Sequence, residues 1–132
     1  MSKKRINHPQ RKPGFVTGAY SDGVLLDGFI FISGQASIDF ETSAFISGSV
    51  EEETKRTLDN LKAVLEAAGA SLEDIVKINV YLSDIKDFDR FNEAYSAYFE
   101  EGVKPARTTV GSELAENIKV EIDCIAKLPS QR

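Results

Sequence analysis

Residues 49–82 read SVEEETKRTLDNLKAVLEAAGASLEDIVKINVYL, and this stretch decides the fold because it predicts a helix that leads into a strand. Ser49 and Glu52 have the spacing of a capping box, in which each side chain bonds the other residue's backbone N–H. Gly69 suits the positive φ that commonly ends a helix. Apolar residues at helical spacing then predict a helix over 50–68 with one buried stripe, made of Leu58, Leu61, Leu65 and Ala68.

The strand that follows is predicted from alternation over residues 74–82. Successive side chains of a strand point to opposite faces, so a period of two marks a strand with one buried face. The buried set is predicted to be Val76, Ile78, Val80 and Leu82, and the opposite set to be Lys77, Asn79 and Tyr81. A helix followed by such a strand favours a fold in which helices pack on a sheet.

Outside this stretch the chain predicts hairpins and a second helix. Asp27-Gly28 lies between two runs of β-branched and aromatic residues, which is a strong hairpin signal. Phe88, Phe91, Tyr95 and Phe99 form one aromatic stripe at helical spacing. The further predicted elements are strands in 18–26 and 29–33, a loop or irregular hairpin over 34–48, a helix over 85–100, and strands over 106–113 and 117–126.

The resulting order is β-β-α-β-α-β-β, which predicts the α+β class. We expect one mixed β-sheet with two helices on one face. The other sheet face carries partly apolar residues such as Tyr81 and Ile125, so we expect it to be buried against other copies of the chain.

Length and charge narrow the class of protein. The chain has 132 residues, which suits one domain, and we place that domain at 15–128. Residues 1–14 carry five basic residues and no acid, and we expect a flexible basic arm.

The net charge of −5 argues against general nucleic-acid binding. With one cysteine, no secretory signal and no apolar run of spanning length, the expectation is a cytoplasmic protein without a membrane partner.

Few residues offer catalytic chemistry. The single histidine, His8, lies in the predicted arm, so neither a Ser-His-Asp nor a Cys-His pair is expected. No Cys/His cluster has metal-ligand spacing, and no glycine-rich phosphate loop is present, so we expect no metal and no cofactor. Cys124 is in phase with the buried side of its strand, which favours a structural thiol over a reactive one.

Two charged residues on the last strands remain. Alternation in 118–126 places Glu121 on the face away from the helices, and Arg107 and Thr109 of the preceding strand can share that face. A half-buried arginine needs an anionic partner, and its planar fork matches a carboxylate. From spacing alone that partner is either a bound carboxylate or an intersubunit salt bridge, for which Glu121 is a candidate.

Several segments, in order and near the right spacing, resemble the YjgF/RidA family, also called the L-PSP endoribonuclease family. The resemblance covers about residues 17–127, and its specific part is Pro105-Ala106-Arg107 with the later Val120-Glu121-Ile122. The other matching segments are Gly18-Ala19-Tyr20-Ser21, Ile32-Ser33-Gly34-Gln35, 57–62, 65–69, 74–77, 87–95 and Lys119.

The resemblance implies a fold and a set of site residues. The family fold is a chorismate mutase-like, ferredoxin-like α+β type that assembles as a homotrimer, with the sheets around a central barrel and clefts between subunits. It implies that Arg107 clamps the substrate carboxylate and that Glu121 positions the attacking water. It also implies five substrate-binding residues: Tyr20 closing the cleft, Ser33, Gly34 and Asn92 lining it, and Thr109 where the family often has cysteine.

The implied function is hydrolytic deamination of reactive enamine and imine intermediates, without a cofactor. Substrates of the 2-aminoacrylate type and 2-imino acids would become 2-oxo acids and ammonia, as in a 2-iminobutanoate/2-iminopropanoate deaminase. The alternatives are a non-catalytic trimer that binds small carboxylates, and an RNA-directed endoribonuclease or translation inhibitor. Ala19, the loop 112–117 and the segment 36–48 depart from the family pattern.

Overall fold

The structure is a computed structural model that describes residues 2–11 and 18–129. Within those residues a six-stranded mixed sheet packs against two α-helices, so the predicted α+β class is confirmed. The sheet strands are β1 (Lys4–Ile6), β2 (Gly23–Leu26), β3 (Phe29–Gln35), β6 (Ile75–Leu82), β7 (Ala106–Gly111) and β8 (Val120–Lys127). The helices are α1 (Val50–Ala67) and α2 (Phe88–Ser96), and β4 (Ile38–Asp39) pairs with β5 (Ala44–Phe45) in a separate small hairpin.

Strand order explains why the sheet is mixed. The order is β1-β2-β3-β8-β6-β7, so the last strand of the chain inserts between β3 and β6. Neighbouring strands are antiparallel except β6 and β7, which are parallel and are joined through α2. A parallel pair needs a crossover of this kind, whereas the β2–β3 pair is joined by the tight turn at Asp27-Gly28. Both residues of that turn have positive φ, as the hairpin signal predicted.

Helix α1 begins as the sequence predicts. Ser49 accepts a hydrogen bond from the Glu52 N–H at 3.1 Å, and the Glu52 carboxylate accepts one from the Ser49 N–H at 2.9 Å. Leu58, Leu61 and Leu65 are fully buried, and the helix ends one residue before the predicted boundary, ahead of Gly69. Each buried leucine contributes about 1.5–3 kcal/mol relative to an exposed one.

Strand β6 follows the predicted alternation with one exception. Ile78, Val80 and Leu82 are buried on the helix side. Val76 was predicted to join them, and this is wrong, since it is 53% exposed. A register irregularity against β8 between Ile75 and Lys77 puts Ile75 into the core and turns Val76 outward.

The core lies between the sheet and the two helices. The inward set predicted for β8 is buried as expected: Ile118, Val120, Ile122, Cys124 and Ala126. Burial raises the pKa of the Cys124 thiol to about 12, which suits a structural role. Helix α2 is shorter than predicted at both ends, because a separate 3₁₀ turn, Ile85–Asp87, precedes it and the helix ends at Ser96. Phe91, Tyr95 and Phe99 are buried as expected, whereas Phe88 is 37% exposed.

The prediction of a flexible N-terminal arm is wrong for residues 2–11. Lys4–Ile6 forms β1 at the edge of the sheet, paired with β2, and His8 beyond it is only 3% exposed. The cause is a set of contacts to distant residues, because Arg11 pairs with Asp22 at 2.7 Å and the His8 ring stacks on Phe40. Met1 and residues 12–14 of the predicted arm lie outside the described residues.

The sheet face away from the helices, called here the open face, carries exposed apolar side chains. Phe29 and Phe31 are 41% and 44% exposed, and Val110 is 41% exposed. No helix in residues 2–11 and 18–129 has the length and apolar character of a membrane span. Burial of the open face against other copies stays a prediction.

Candidate functional site

Glu121 lies in a pocket on the open face. The pocket has a volume of about 450 Å³ and is lined by Tyr20, Ile32, Ser33, Gly34, Glu121 and Asp123. Strand β8 carries Glu121, and β3 carries Ser33 and Gly34 beside it. The register of β3 against β8 shifts between Ile32 and Gln35, which opens the sheet next to the carboxylate. Three of the predicted site residues, Tyr20, Ser33 and Gly34, therefore meet Glu121.

The Glu121 carboxylate is half-buried and has no hydrogen-bond or ion-pair partner among residues 2–11 and 18–129. Burial, followed by repulsion from Asp123, raises the pKa of the Glu121 carboxyl above its ordinary value. A carboxylate in this condition accepts a proton more readily than one in water. The geometry thus suits a general base that takes a proton from water.

Asp123 is the second carboxylate of this pocket, and sequence reasoning did not single it out. The Asn79 amide and the Tyr81 hydroxyl each donate to it, both at 2.9 Å. The hydrogen bond to Asp123 is the first cause that raises the pKa of Tyr81. The same alternation that places Glu121 on the open face also places Asp123 there, so the signal was present in the sequence.

Gly34 leaves the space that the Glu121 side chain occupies. A Cβ added at Gly34 would lie 2.8 Å from the Glu121 Cδ, closer than real Cβ contacts allow. We therefore expect Gly34→Ala to displace the carboxylate and to lower kcat roughly 10- to 100-fold, because small misplacements of catalytic groups are costly.

The matched control for Gly34→Ala is Gly48→Ala. A Cβ at Gly48 also crowds a glutamate, at 3.1 Å from the Glu52 Oε1, but that residue caps α1 away from the pocket. Activity and thermal unfolding of both variants are to be measured. Equal losses of activity in the two variants would contradict a specific role for the space at Gly34.

Arg107 lies at a different place, on the edge strand β7 under helix α2. Its guanidinium carbon is 4.6 Å from the centre of the Tyr95 ring and 5.6 Å from the centres of Phe88 and Phe91. Such contacts with the ring faces hold a cation without neutralising it. Among the described residues no carboxylate oxygen lies within ion-pair distance of Arg107.

The pocket at Arg107 has a volume of about 320 Å³, and the residues that line it are Asn92, Tyr95, Ser96, Phe99, Lys104, Pro105 and Arg107. This lining includes two cations and no acid. Asn92 lines this pocket beside Arg107, whereas Tyr20, Ser33 and Gly34 line the pocket of Glu121. Thr109 lines neither pocket, and its buried Oγ1 has no hydrogen-bond partner in the described part of the chain.

The predicted face for Arg107 and Thr109 is wrong. Parallel pairing puts Arg107 beside Ile78 and Thr109 beside Val80, and both of these β6 residues face the helices. Ala106, Thr108 and Val110, which were predicted to turn inward, face outward instead. The reason is the aromatic side of α2, which accepts the arginine stem and the guanidinium on the helix side of the sheet.

Glu121 and Arg107 therefore lie in two separate pockets, one on the open face and one on the helix side. Tyr95 and Phe91, which hold the guanidinium, were seen in the sequence only as core residues. Within residues 2–11 and 18–129, no group of three or more His, Cys, Asp or Glu side chains is arranged to hold a metal ion.

Comparisons with known proteins find one family over most of the chain. Residues 12–128 match the family described as Endoribonuclease L-PSP. A RutC family protein of Pyrococcus abyssi is 48% identical over 110 residues, which cover 83% of this chain and 86% of that protein. A 2-iminobutanoate/2-iminopropanoate deaminase of Dermatophagoides farinae is 36% identical over 126 residues, covering 95% and 97%. The crystal structure of E. coli TdcF with bound serine superposes with a TM-score of 0.83 at 36% identity, covering 96% of this chain and all of that one.

Proposed function

This chain belongs to the endoribonuclease L-PSP family, the YjgF/RidA family of the sequence resemblance, and from that premise we propose that it deaminates reactive imines by hydrolysis. The substrates are enamines of the 2-aminoacrylate type and their 2-imino acid tautomers, and the products are 2-oxo acids and ammonia. One observation carries the proposal: Arg107 presents a guanidinium in a pocket, held by aromatic rings, with no described acid paired to it.

Arg107 binds the substrate through its carboxylate in this proposal. A guanidinium and a carboxylate form two parallel hydrogen bonds, which fix both the position and the orientation of a small acid. The pocket volume of about 320 Å³ lies at the small end of the range for small-molecule sites, roughly 300–1,000 Å³. A substrate of three or four carbons is consistent with that size.

Arg107 and Glu121 act on one substrate only if two copies of the chain meet. The two side chains lie on opposite faces of one sheet, but Arg107 is on its edge strand, where a neighbouring open face can approach. Exposed Phe29 and Phe31 supply apolar area for such contact. The homotrimer implied by the resemblance, with sites between subunits, is therefore part of the proposal.

The reaction needs no covalent nucleophile. Water adds to the C=N carbon while Glu121 accepts its proton, the electron pair of the C=N bond moves to nitrogen, and Glu121 passes that proton to the nitrogen. The carbinolamine then collapses: its hydroxyl gives a second proton to Glu121, the C=O bond forms, and the C–N bond breaks as Glu121 passes this proton to the leaving nitrogen. The sum is one imine and one water giving one 2-oxo acid and one ammonia, with Glu121 returned to its starting form.

The experiment is a coupled assay of the wild-type protein. A pyridoxal-phosphate dehydratase generates the enamine from serine or threonine, and 2-oxo acid formation is followed with and without this chain. We expect the chain to accelerate 2-oxo acid release well above the spontaneous rate. Saturable binding of 2-oxo acids without acceleration would instead support the non-catalytic carboxylate-binding trimer.

The RNA-directed alternative has less support. It is suggested by the family's endoribonuclease label and by a free basic arm, whereas residues 2–11 are folded against the sheet and Arg11 is paired with Asp22. Cleavage of RNA by the purified chain, with no acceleration in the coupled assay, would nevertheless favour it over the imine proposal. A cytoplasmic location stays a prediction.

A further inference from the structure

His8, the only histidine, is buried at the end of the N-terminal segment. Its ring stacks on Phe40 with 3.9 Å between ring centres and 5° between planes. Its Nε2 lies 3.0 Å from the Asn60 Oδ1, and its Nδ1 lies 3.1 Å from the Gln10 backbone N. These are contacts between three distant parts of the chain, namely the N-terminus, the segment after β4, and α1.

The hydrogen bonds determine where the ring proton is. The Asn60 Nδ2 donates to the carbonyls of Ala36 and Ile38, so its Oδ1 is the acceptor that faces His8. The His8 Nε2 therefore carries the proton, and Nδ1 accepts the Gln10 N–H. The neutral ring satisfies both of its nitrogens, whereas a second proton on Nδ1 would remove the acceptor that Gln10 uses.

Asp22 joins this histidine to Arg11. The Asp22 Oδ2 accepts the His8 backbone N–H at 2.9 Å, and Arg11 donates to both carboxylate oxygens at 2.8 and 2.7 Å. The Asp22 side chain is only 3% exposed, and the Arg11 guanidinium also lies 4.6 Å from the centre of the Phe40 ring. We call His8, Arg11, Asp22, Phe40 and Asn60 the His8 cluster.

The His8 cluster is connected to the Glu121 pocket through the backbone of Asp22. The Asp22 carbonyl accepts the Ser33 N–H at 2.9 Å, and the Ser33 hydroxyl donates to the Ser21 carbonyl at 2.5 Å. Ser33 and Tyr20 both line the Glu121 pocket. The side chain of Asp22 thus holds the N-terminal segment, while its backbone holds one wall of the pocket.

We propose that His8, Arg11 and Asp22 are positioning residues that hold the Ser21–Asp22 segment against Ser33, and that protonation of His8 in acid loosens this wall of the Glu121 pocket. The hydrogen-bonded geometry above carries the positioning role. That the wall serves catalysis rests on the proposed deaminase function.

Protonation of His8 weakens the cluster for a definite physical reason. A charged ring loses solvation on burial, and burial is the largest cause that lowers the pKa of His8; nearby Arg11 also lowers it. The hydrogen bond to Asn60 and the charge of Asp22 raise the pKa of His8. Asp59 of α1 lines a pocket together with His8. His8 binds a proton more readily when the N-terminal segment is released than when it is packed, so the His8 cluster is fully packed at neutral pH. It weakens as pH falls through the ordinary histidine pKa of about 6.5.

The test is amide hydrogen exchange at Ser33, corrected for the intrinsic pH dependence of exchange. We expect the Ser33 protection factor of the wild type to fall roughly tenfold between about pH 7 and about pH 5, while core amides such as that of Ile78 keep theirs. His8→Gln keeps a donor for Asn60 but does not titrate in this range, so its Ser33 protection should not change with pH. An unchanged wild-type value, or an equal fall in His8→Gln, would overturn the acid release.

The positioning role is tested with variants of the ion pair. Asp22→Asn should lower Ser33 protection at both pH values and lower kcat on the order of tenfold, with a smaller effect on KM. Arg11→Lys, which keeps the charge, should retain more of the Ser33 protection and a higher kcat than Arg11→Met. Normal Ser33 protection in Asp22→Asn would reject the positioning role. Exchange needs no substrate, so its result is independent of the deaminase proposal, which fails separately if the wild type shows no turnover.

Discussion

Arg107→Ala is expected to lower kcat/KM roughly 10²- to 10⁴-fold. The substrate carboxylate loses two charge-assisted hydrogen bonds, each worth about 1.5–3 kcal/mol, and every 1.36 kcal/mol is about tenfold in rate. No other residue is well placed to bind the carboxylate in its stead. Among the described residues that line the pocket, the one other cation is Lys104, and its side chain is exposed to solvent. The measurement is the coupled dehydratase assay with wild type and variant at equal concentration.

Arg107→Lys separates charge from shape. A lysine keeps the positive charge but cannot form two parallel hydrogen bonds to a carboxylate, so the substrate is bound but less well oriented. We therefore expect a loss of kcat/KM smaller than that of Arg107→Ala, mainly through a lower kcat. Arg90→Ala is the matched control, because Arg90 is an arginine of α2 whose ion pair with Glu51 is exposed to solvent. That variant should keep full activity and nearly full stability.

A structural role for Arg107 has different consequences. If the guanidinium serves only an intersubunit salt bridge, the open alternative from the sequence, Arg107→Ala should dissociate the assembly and lower its Tm. Activity per assembled protein would then be unchanged. Size-exclusion chromatography and thermal unfolding, run beside the assay, distinguish this outcome from loss of a substrate clamp.

The sequence predicts the layers of this fold well because they rest on local patterns. The capping box at Ser49 and the leucine stripe of α1 depend on residues within a few positions of one another, and both are found as expected. The alternation of β8 places Glu121 opposite the core for the same reason. Alternation gives the wrong face at Val76, because the register of β6 against β8 is irregular there. Such an irregularity depends on the partner strand, which the sequence of β6 alone does not contain.

The face of Arg107 was not predictable by the same rule. In β7 the set Ala106, Thr108 and Val110 is more apolar than Arg107 and Thr109, so alternation favoured turning the first set inward. The strand is at the sheet edge, and what lies above it is the aromatic side of α2, which accepts a guanidinium. Contact between an arginine and three rings from another element is a tertiary fact that strand spacing does not contain.

The N-terminal segment shows a second limit. Residues 1–14 are basic and contain few apolar side chains, which is typical of an unpacked terminus. Residues 2–11 are held by partners far along the chain, since Phe40 and Asn60 both contact His8. No periodicity links such positions, so composition alone gave the wrong expectation.

Glu121→Gln is expected to lower kcat about 10²- to 10⁴-fold, the usual contribution of a general base. Glutamine keeps the size of the side chain and can still hold a water, but it cannot accept a proton from it. The effect should fall on kcat more than on KM, because in the proposal the carboxylate contacts the attacking water while Arg107 holds the substrate. Gly48→Ala, away from both pockets, serves again as the control.

The pH dependence gives an independent test of Glu121. The base acts in its ionised form, so the wild-type rate is full above the Glu121 pKa and falls as pH falls through it. Burial raises that pKa, so the acid limb should lie above the ordinary glutamate value of about 4.3. Asp123→Asn removes the second cause of the raised pKa and should move the limb to lower pH. A limb that stays in place in Asp123→Asn and persists in Glu121→Gln would show that another group titrates.

Glu121→Gln should lower activity without lowering the stability of the fold. A carboxyl group whose pKa is raised in the folded protein favours folding when it is protonated, and this contribution is lost as pH rises through the raised pKa. At neutral pH the ionised Glu121 therefore destabilises the fold, and Glu121→Gln should unfold at an equal or higher Tm than the wild type. A variant that loses both activity and Tm would indicate that Glu121 has a structural role, and the carboxylate could then no longer be assigned as the base that activates water.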